Sequence, residues 1–142
     1  MTTPAEFRER FRTFAGDEAF FKFVKATYRN FSRSRRLRFW QEELVESFRA
    51  EHPDITFSTE QLLESLKICE LHEIELRPVD VPAFRGCLDY APDYVNEMAA
   101  TFPHSTLDQV MVSEAYAENS CTIWVCSTCD EIRESSRWRR NA

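Results

Sequence analysis

Two short sequences in the second half of the chain carry residues that bind soft metal ions. Cys69 and His72 are separated by two residues, and so are Cys126 and Cys129. This spacing lets one tight turn direct both side chains of a pair at the same ion, and three thiolates with one imidazole complete the tetrahedral set that zinc prefers. Since 53 residues separate the two pairs, different elements must supply them. We therefore predict a Zn²⁺ site formed by Cys69, His72, Cys126 and Cys129.

The five cysteines of the chain allow two other interpretations. One is a disulfide framework, which the odd number and the polar N-terminal segment without an apolar leader argue against. The other is a set of ordinary buried thiols whose spacing coincides with a ligand pattern. Cys87 and Cys121 have no partner at ligand spacing, and we expect both to be small core residues.

The known signatures of zinc enzymes do not match the two pairs. A zinc deaminase needs H-x-E and P-C-x-x-C, but Ile74 and Val125 stand where the glutamate and the proline would be. Leu76 takes the place of the second histidine of an H-E-x-x-H motif. His104 follows a Phe-Pro sequence and is predicted to be a loop residue or a support for the ligands. The residues thus favour a structural site without catalysis, with a metalloenzyme as the less favoured alternative.

The apolar spacing predicts which elements position these pairs. Residues 1–68 repeat large apolar side chains at helical intervals, with capping boxes at Thr3 and Ser58. Residues 69–142 alternate over short stretches in the manner of strands. The predicted helices begin at Pro4, after an N-cap at Asp17, near Ser34 and after Ser58, and two more cover residues 92–101 and 129–140. The predicted strands cover residues 73–79, 81–87, 108–116 and 121–126.

The predicted fold class is α+β, in a single domain over residues 1–142. A helical part, residues 1–68, packs on a small antiparallel sheet within a zinc-binding part, residues 69–142. A knuckle turn, a hairpin and a C-terminal helix that carries the last two ligands are the arrangement of a treble-clef-like zinc site. The helix N-terminus is also expected to favour the thiolate form of the second pair.

Three features of the sequence resemble a group of small bacterial proteins of uncharacterised function. They are a C-x-x-H-x-x-x-L sequence at Cys69, a Phe-Pro pair at Phe102, and a late C-x-x-C at Cys126 that opens a charged helix. The resemblance covers about residues 60–138 and implies bound zinc without implying an activity. The chain departs from that pattern at Ser127, where the resemblance leads us to expect proline.

The charge distribution bears on the choice of partner. The net charge is −6, divided as +2 over residues 1–57 and −8 over residues 58–142. Nucleic-acid binding normally needs a basic surface, and its best candidates here are Arg33, Arg35, Arg36 and Arg38. Those arginines also suit the solvated first turn of a helix, so we favour a protein partner in a cytoplasmic interaction or regulatory module. No apolar stretch is long enough to span a membrane.

Overall fold

The computed structural model describes residues 2–28 and 37–139. Within these ranges every helix is too short or too polar to cross a bilayer. The elements in chain order are α1 (Pro4–Ala15), α2 (Asp17–Thr27), α3 (Phe39–Glu51), α4 (Thr59–Ser65), β1 (Arg77–Arg85), α5 (Pro92–Thr101), β2 (Val110–Val112), β3 (Ser120–Val125) and α6 (Ser127–Glu134). The α+β class predicted from the sequence is therefore confirmed.

An aromatic core holds α1 to α4 together. The predicted capping boxes are present, with Thr3 Oγ1 accepting from the Glu6 N–H and Ser58 Oγ from the Gln61 N–H. Each cap satisfies a backbone donor that the first helical turn leaves free. Phe48 lies at the centre of this core with no exposed surface. Its ring contacts the rings of Phe7, Phe11, Phe14, His52 and Phe57.

Two helix starts differ from the prediction. Gly16, with φ of 84°, occupies the N-cap of α2, and Asp17 is the first helical residue rather than the cap. The helix predicted from Ser34 begins at Phe39 within the described residues, and Ser34 lies outside them. We expected Leu37, Trp40, Leu44 and Phe48 to form the apolar stripe of this helix; the buried residues of α3 are Gln41, Val45 and Phe48, of which only Phe48 was predicted. Gln41 is tolerated inside because its amide donates to Thr27 Oγ1 at 2.9 Å.

The three strands form a mixed sheet in the order β2-β1-β3. β1 pairs antiparallel with β3, from Arg77 opposite Val125 to Pro82 opposite Ser120. It pairs parallel with β2, from Ala83 opposite Val110 to Arg85 opposite Val112. The prediction of an antiparallel sheet is therefore wrong for β2, because the connection through α5 returns the chain in the direction of β1.

The central strand is longer than predicted and contains two prolines. We expected two extended segments, residues 73–79 and 81–87, and the structure joins parts of both in β1. Ala83 donates its N–H to the carbonyl of Asn119 on the β3 side. Successive backbone nitrogens of a strand point in opposite directions, so those of Pro78 and Pro82, at even-numbered positions, point away from β3. Since β2 covers only Ala83–Arg85, those nitrogens face an open edge where a missing N–H costs little.

The two halves of the chain pack against each other through Tyr28 and Trp124. Their rings meet edge to face with centroids 5.6 Å apart. Lys67 places its ammonium over the same indole at 5.3 Å, and Arg12 of α1 forms an ion pair with Glu73 at 2.6 Å. The first half of the chain therefore supports the segment that carries Cys69 and His72.

Candidate metal centre

The first ligand pair lies on a tight turn between α4 and β1. Ile68 and Glu75 form an isolated antiparallel bridge. Inside it, the Cys69 N–H donates to the Ile74 carbonyl and the Glu73 N–H to the Cys69 carbonyl, both at 2.9 Å. Glu73 closes the turn with φ of 56°, a left-handed conformation that is costly for a residue with a β-carbon. This turn, residues 69–74, is the knuckle that the C-x-x-H spacing predicts.

The second ligand pair begins α6. Cys126 is the N-cap residue, and its Sγ accepts from the Cys129 N–H at 3.4 Å. A cap of this kind places both sulfurs on the same side of the first helical turn. Ser127 is the first residue of α6, a position where serine and proline are both compatible with the helix. Its departure from the expected proline therefore leaves the turn intact. The helix ends at Glu134 rather than at the predicted residue 140.

The fold brings these two pairs together in one cluster. Cys69, His72, Cys126 and Cys129 each offer a ligand atom, and the four atoms all lie within 4.8 Å of one another. His72 Nδ1 lies 3.5, 3.7 and 3.4 Å from the sulfurs of Cys69, Cys126 and Cys129. The sulfurs of Cys69 and Cys129 are 3.7 Å apart. All three cysteines are fully buried, so the cluster could hold a metal ion away from solvent.

The pKa values of the three cluster thiols are shifted in different directions. The hydrogen bond from Cys129 lowers the pKa of Cys69 to about 5 against the opposing effect of burial, and the N–H groups of Leu71 and His72 assist. The same bond and burial raise the pKa of Cys129, and burial raises that of Cys126. Burial raises the pKa of Cys126 more than the N–H groups of Cys129 and Thr128, in the first turn of α6, lower it. The knuckle sulfur is the first to ionise.

His104 connects the two halves of the cluster through both its backbone and its side chain. Its N–H donates to Cys129 Sγ at 3.4 Å, and its carbonyl accepts from the Cys126 N–H at 2.9 Å. Its ring is 1% exposed, with Nε2 at 2.7 Å from a carboxylate oxygen of Glu70 and Nδ1 at 3.1 Å from the Trp124 carbonyl. This single loop residue therefore contacts the knuckle, β3 and α6.

Both ring nitrogens of His104 face acceptors, which an imidazolium satisfies by donating twice. Burial opposes the charged ring, but the hydrogen bond and the charge of Glu70 outweigh it and raise the pKa of His104. Burial likewise tends to raise the pKa of Glu70, and the bond from His104 outweighs it and lowers that pKa. Cys69, Glu70 and His104 each offer a ligand atom, and these three atoms lie within 4.8 Å of one another. The buried pair thus lies directly beside the cluster, and each member stabilises the charged form of the other.

A carboxylate on α6 holds the loop that contains His104. Thr106 donates its N–H and its hydroxyl to the two oxygens of Asp130, at 2.6 and 2.9 Å. The loop is therefore attached to the same helical turn that carries Cys129. The role of His104 as a support for the ligands was considered from the sequence, whereas Glu70 and Asp130 were missed. No sequence signal marks either residue, because Glu70 and His104 are 34 positions apart.

The remaining sequence candidates lie away from the cluster. Cys121 is buried on β3, in agreement with its predicted packing role. Cys87 is exposed, so its assignment to the core is wrong: it follows Gly86, whose φ of 131° turns the chain out of β1. Arg38 is exposed next to the start of α3, and Arg33, Arg35 and Arg36 lie outside the described residues.

No protein-family model, curated protein or solved structure matches this chain.

Proposed function

We propose that the Cys₃His cluster is a structural zinc site. In tetrahedral coordination with Zn–S of about 2.3 Å and Zn–N of about 2.1 Å, the sulfur–sulfur edge is about 3.8 Å and the sulfur–nitrogen edge about 3.6 Å. The corresponding separations in the cluster are 3.7 Å between the sulfurs of Cys69 and Cys129 and 3.4 to 3.7 Å between His72 Nδ1 and the three sulfurs, and every remaining separation is within 4.8 Å. This agreement is the observation that carries the proposal. Three soft sulfurs with one imidazole also match the donor set of structural zinc.

The closure of the cluster supports a structural role over a catalytic one. A catalytic zinc ion keeps one position open to water or substrate, whereas four protein ligands here account for every vertex of the tetrahedron. The three cysteines have no exposed surface, and the nearest titratable pair, Glu70 and His104, is itself buried and mutually bonded. When bound, zinc would join the knuckle to the first turn of α6.

The order of elements supports a treble-clef assignment. The knuckle supplies Cys69 and His72, the antiparallel pair β1 and β3 follows, and α6 supplies the last two ligands from its first turn. The insertion of α5 and β2 between β1 and β3 lengthens the hairpin connection and leaves this order unchanged. A zinc ribbon would place the second pair on another hairpin instead of a helix.

We further propose that the protein is a non-catalytic interaction or regulatory module that binds a protein partner in the cytoplasm. Each of the five cysteines is unpaired, as a reducing compartment favours. The acidic second half opposes a polyanion approaching the cluster. These features favour a protein partner over nucleic acid.

Metal content with matched cysteine variants tests the zinc site. We expect one equivalent of zinc in purified protein and in Cys87→Ser, and its loss in Cys129→Ser, measured by elemental analysis and native mass spectrometry. X-ray absorption on the loaded protein should show three sulfur neighbours and one nitrogen. Folded wild-type protein without metal, or unchanged content in Cys129→Ser, would refute the assignment.

The partner proposal needs a separate experiment. We expect a cross-linked protein partner to be recovered with the wild type and Cys87→Ser and to be lost with Cys129→Ser, whose second half lacks its metal. Salt-sensitive retention of nucleic acid by the wild type, with no protein captured in this metal-dependent way, would instead support the nucleic-acid alternative.

A further inference from the structure

A cavity of about 280 Å³ opens beside α6, one helical turn beyond Cys129. Its walls come from the loop before α5, α5 itself, the loop before β2, α6 and the segment after α6. Its volume lies near the lower end for small-molecule sites, roughly 300 Å³. Its lining includes Tyr90, Ala91, Tyr94, Leu107, Arg133 and Trp138.

A buried guanidinium forms part of this lining. Arg133 is 9% exposed, and among the described residues no carboxylate lies within ion-pair distance of it. Its Nε donates to the Trp138 carbonyl at 3.0 Å and one terminal nitrogen to the Thr106 carbonyl at 2.7 Å. A guanidinium has five N–H donors, so its second terminal nitrogen retains unused capacity. The Cζ of Arg133 lies 5.5 Å from the centroid of the Tyr94 ring, but no directly paired carboxylate among the described residues offsets the cost of burying this cation. An anion in the cavity would reduce that cost.

The other walls suit a flat apolar group. The ring of Tyr94 lies 5.2 Å from that of Trp138 and 5.7 Å from that of Tyr90, measured between centroids. Leu107 is buried beside them. The indole Nε1 of Trp138 is buried without a hydrogen-bond partner among the described residues. The cavity therefore combines aromatic walls with two donors that are not fully used.

Two carboxylates limit the charge of a ligand. Asp89 and Asp108 line the cavity from exposed positions and would repel a multiply charged anion such as a nucleotide. A ligand with a single carboxylate can pair with Arg133 without bringing a second negative charge close to Asp89 and Asp108. From the volume, the cation and the aromatic walls we infer that this cavity binds a small aromatic monocarboxylate, with Arg133 holding the carboxylate group.

Benzoate, its uncharged isostere benzamide and inorganic phosphate probe this inference with the metal-loaded protein. In ¹⁵N NMR titrations we expect benzoate to shift the Trp138 indole and Arg133 side-chain signals saturably, with a Kd of about 1 mM. Benzamide and phosphate should bind at least about tenfold more weakly, because one lacks the charge and the other the ring. No saturable benzoate shift at these signals, or equal binding of benzamide, would overturn the inference.

Substitutions distinguish a direct contact with the Arg133 guanidinium from an effect of the overall charge of the protein. Arg133→Gln should weaken benzoate binding about tenfold or more. Arg77→Gln makes the same charge change at an exposed site and should leave the Kd of benzoate within about twofold of the wild-type value. Ala91→Trp, at an exposed lining position, should obstruct the cavity and abolish the shifts even if Arg133→Gln does not fold. Undiminished binding in folded Arg133→Gln, or in Ala91→Trp, would refute the site. Zinc content, measured on each sample, distinguishes such a result from failure of the metal centre.

Discussion

Removal of the His104 side chain should reveal how strongly the buried ion pair stabilises the knuckle. In His104→Leu the backbone bonds to Cys126 and Cys129 remain possible, but the Glu70 carboxylate, 10% exposed, loses its partner. Neutralising a carboxyl group of ordinary pKa, about 4.3, costs about 4 kcal/mol at pH 7. We expect His104→Leu to lose about 3 to 4 kcal/mol of unfolding free energy, within the range for a broken buried pair.

The double variant Glu70→Leu/His104→Leu is the matched reference, because it lacks both members of the pair. It should recover much of the loss, since no uncompensated charge remains buried. Glu70→Leu alone should cost less than His104→Leu, because the remaining imidazole can release its proton at little cost near neutral pH. Urea unfolding of metal-loaded samples, followed by circular dichroism with metal content measured in parallel, gives these free energies.

The pH dependence of the same variants identifies the responsible group. In His104→Leu the isolated carboxyl of Glu70 binds a proton in the folded state, so the deficit against the double variant should shrink as the pH falls. Between pH 7 and pH 5.5 we expect it to decrease by about 2 kcal/mol. Proton uptake by the cysteines is common to both proteins and cancels. A deficit that does not change with pH, or His104→Leu as stable as the double variant, would refute our account of the pair.

Three further substitutions test other parts of the structure. Ser127→Pro should keep the metal and stay within about 0.5 kcal/mol of wild-type stability, because proline suits the first helical position; loss of metal would contradict the α6 start described here. Glu73→Gly should be more stable than Glu73→Ala by about 1 kcal/mol in chemical denaturation, since both remove the carboxylate and only glycine accepts positive φ without cost, and the reverse order would refute the left-handed turn. Phe48→Ala should lose about 3 to 5 kcal/mol by the same measurement, and a loss under about 1 kcal/mol would show that Phe48 is not central to the aromatic core.

The parts of the molecule predicted correctly from the sequence depend on local chemistry. Thr3 and Ser58 cap helices through residues three positions later, so the sequence pattern alone predicts the interaction. The proximity of Cys69 to Cys129 was predicted from ligand spacing, because two short turns that each carry two soft donors can together complete the coordination of one ion. In both cases a pattern a few residues long carries the information.

The failures concern interactions between distant segments. We predicted two segments, residues 73–79 and 81–87, where the structure has the single strand β1, and no local pattern shows which strands this segment pairs with. The parallel pairing of β2 depends on three residues, too few for any pattern. Cys87 is different, since the neighbouring Gly86 was a signal for a turn away from the core that we did not use.

The separation of the two ligand pairs along the chain has a consequence for biosynthesis. Cys69 and Cys129 are 60 residues apart, and His72 and Cys126 are 54 apart. At about 5 to 20 residues per second, the knuckle leaves the ribosome about 3 to 12 s before its partner pair. During that interval two ligands alone face the solvent, and β1 still lacks β3. The emergence of β3 and of the first turn of α6 is therefore the step at which the second half of the chain can close into one folded unit.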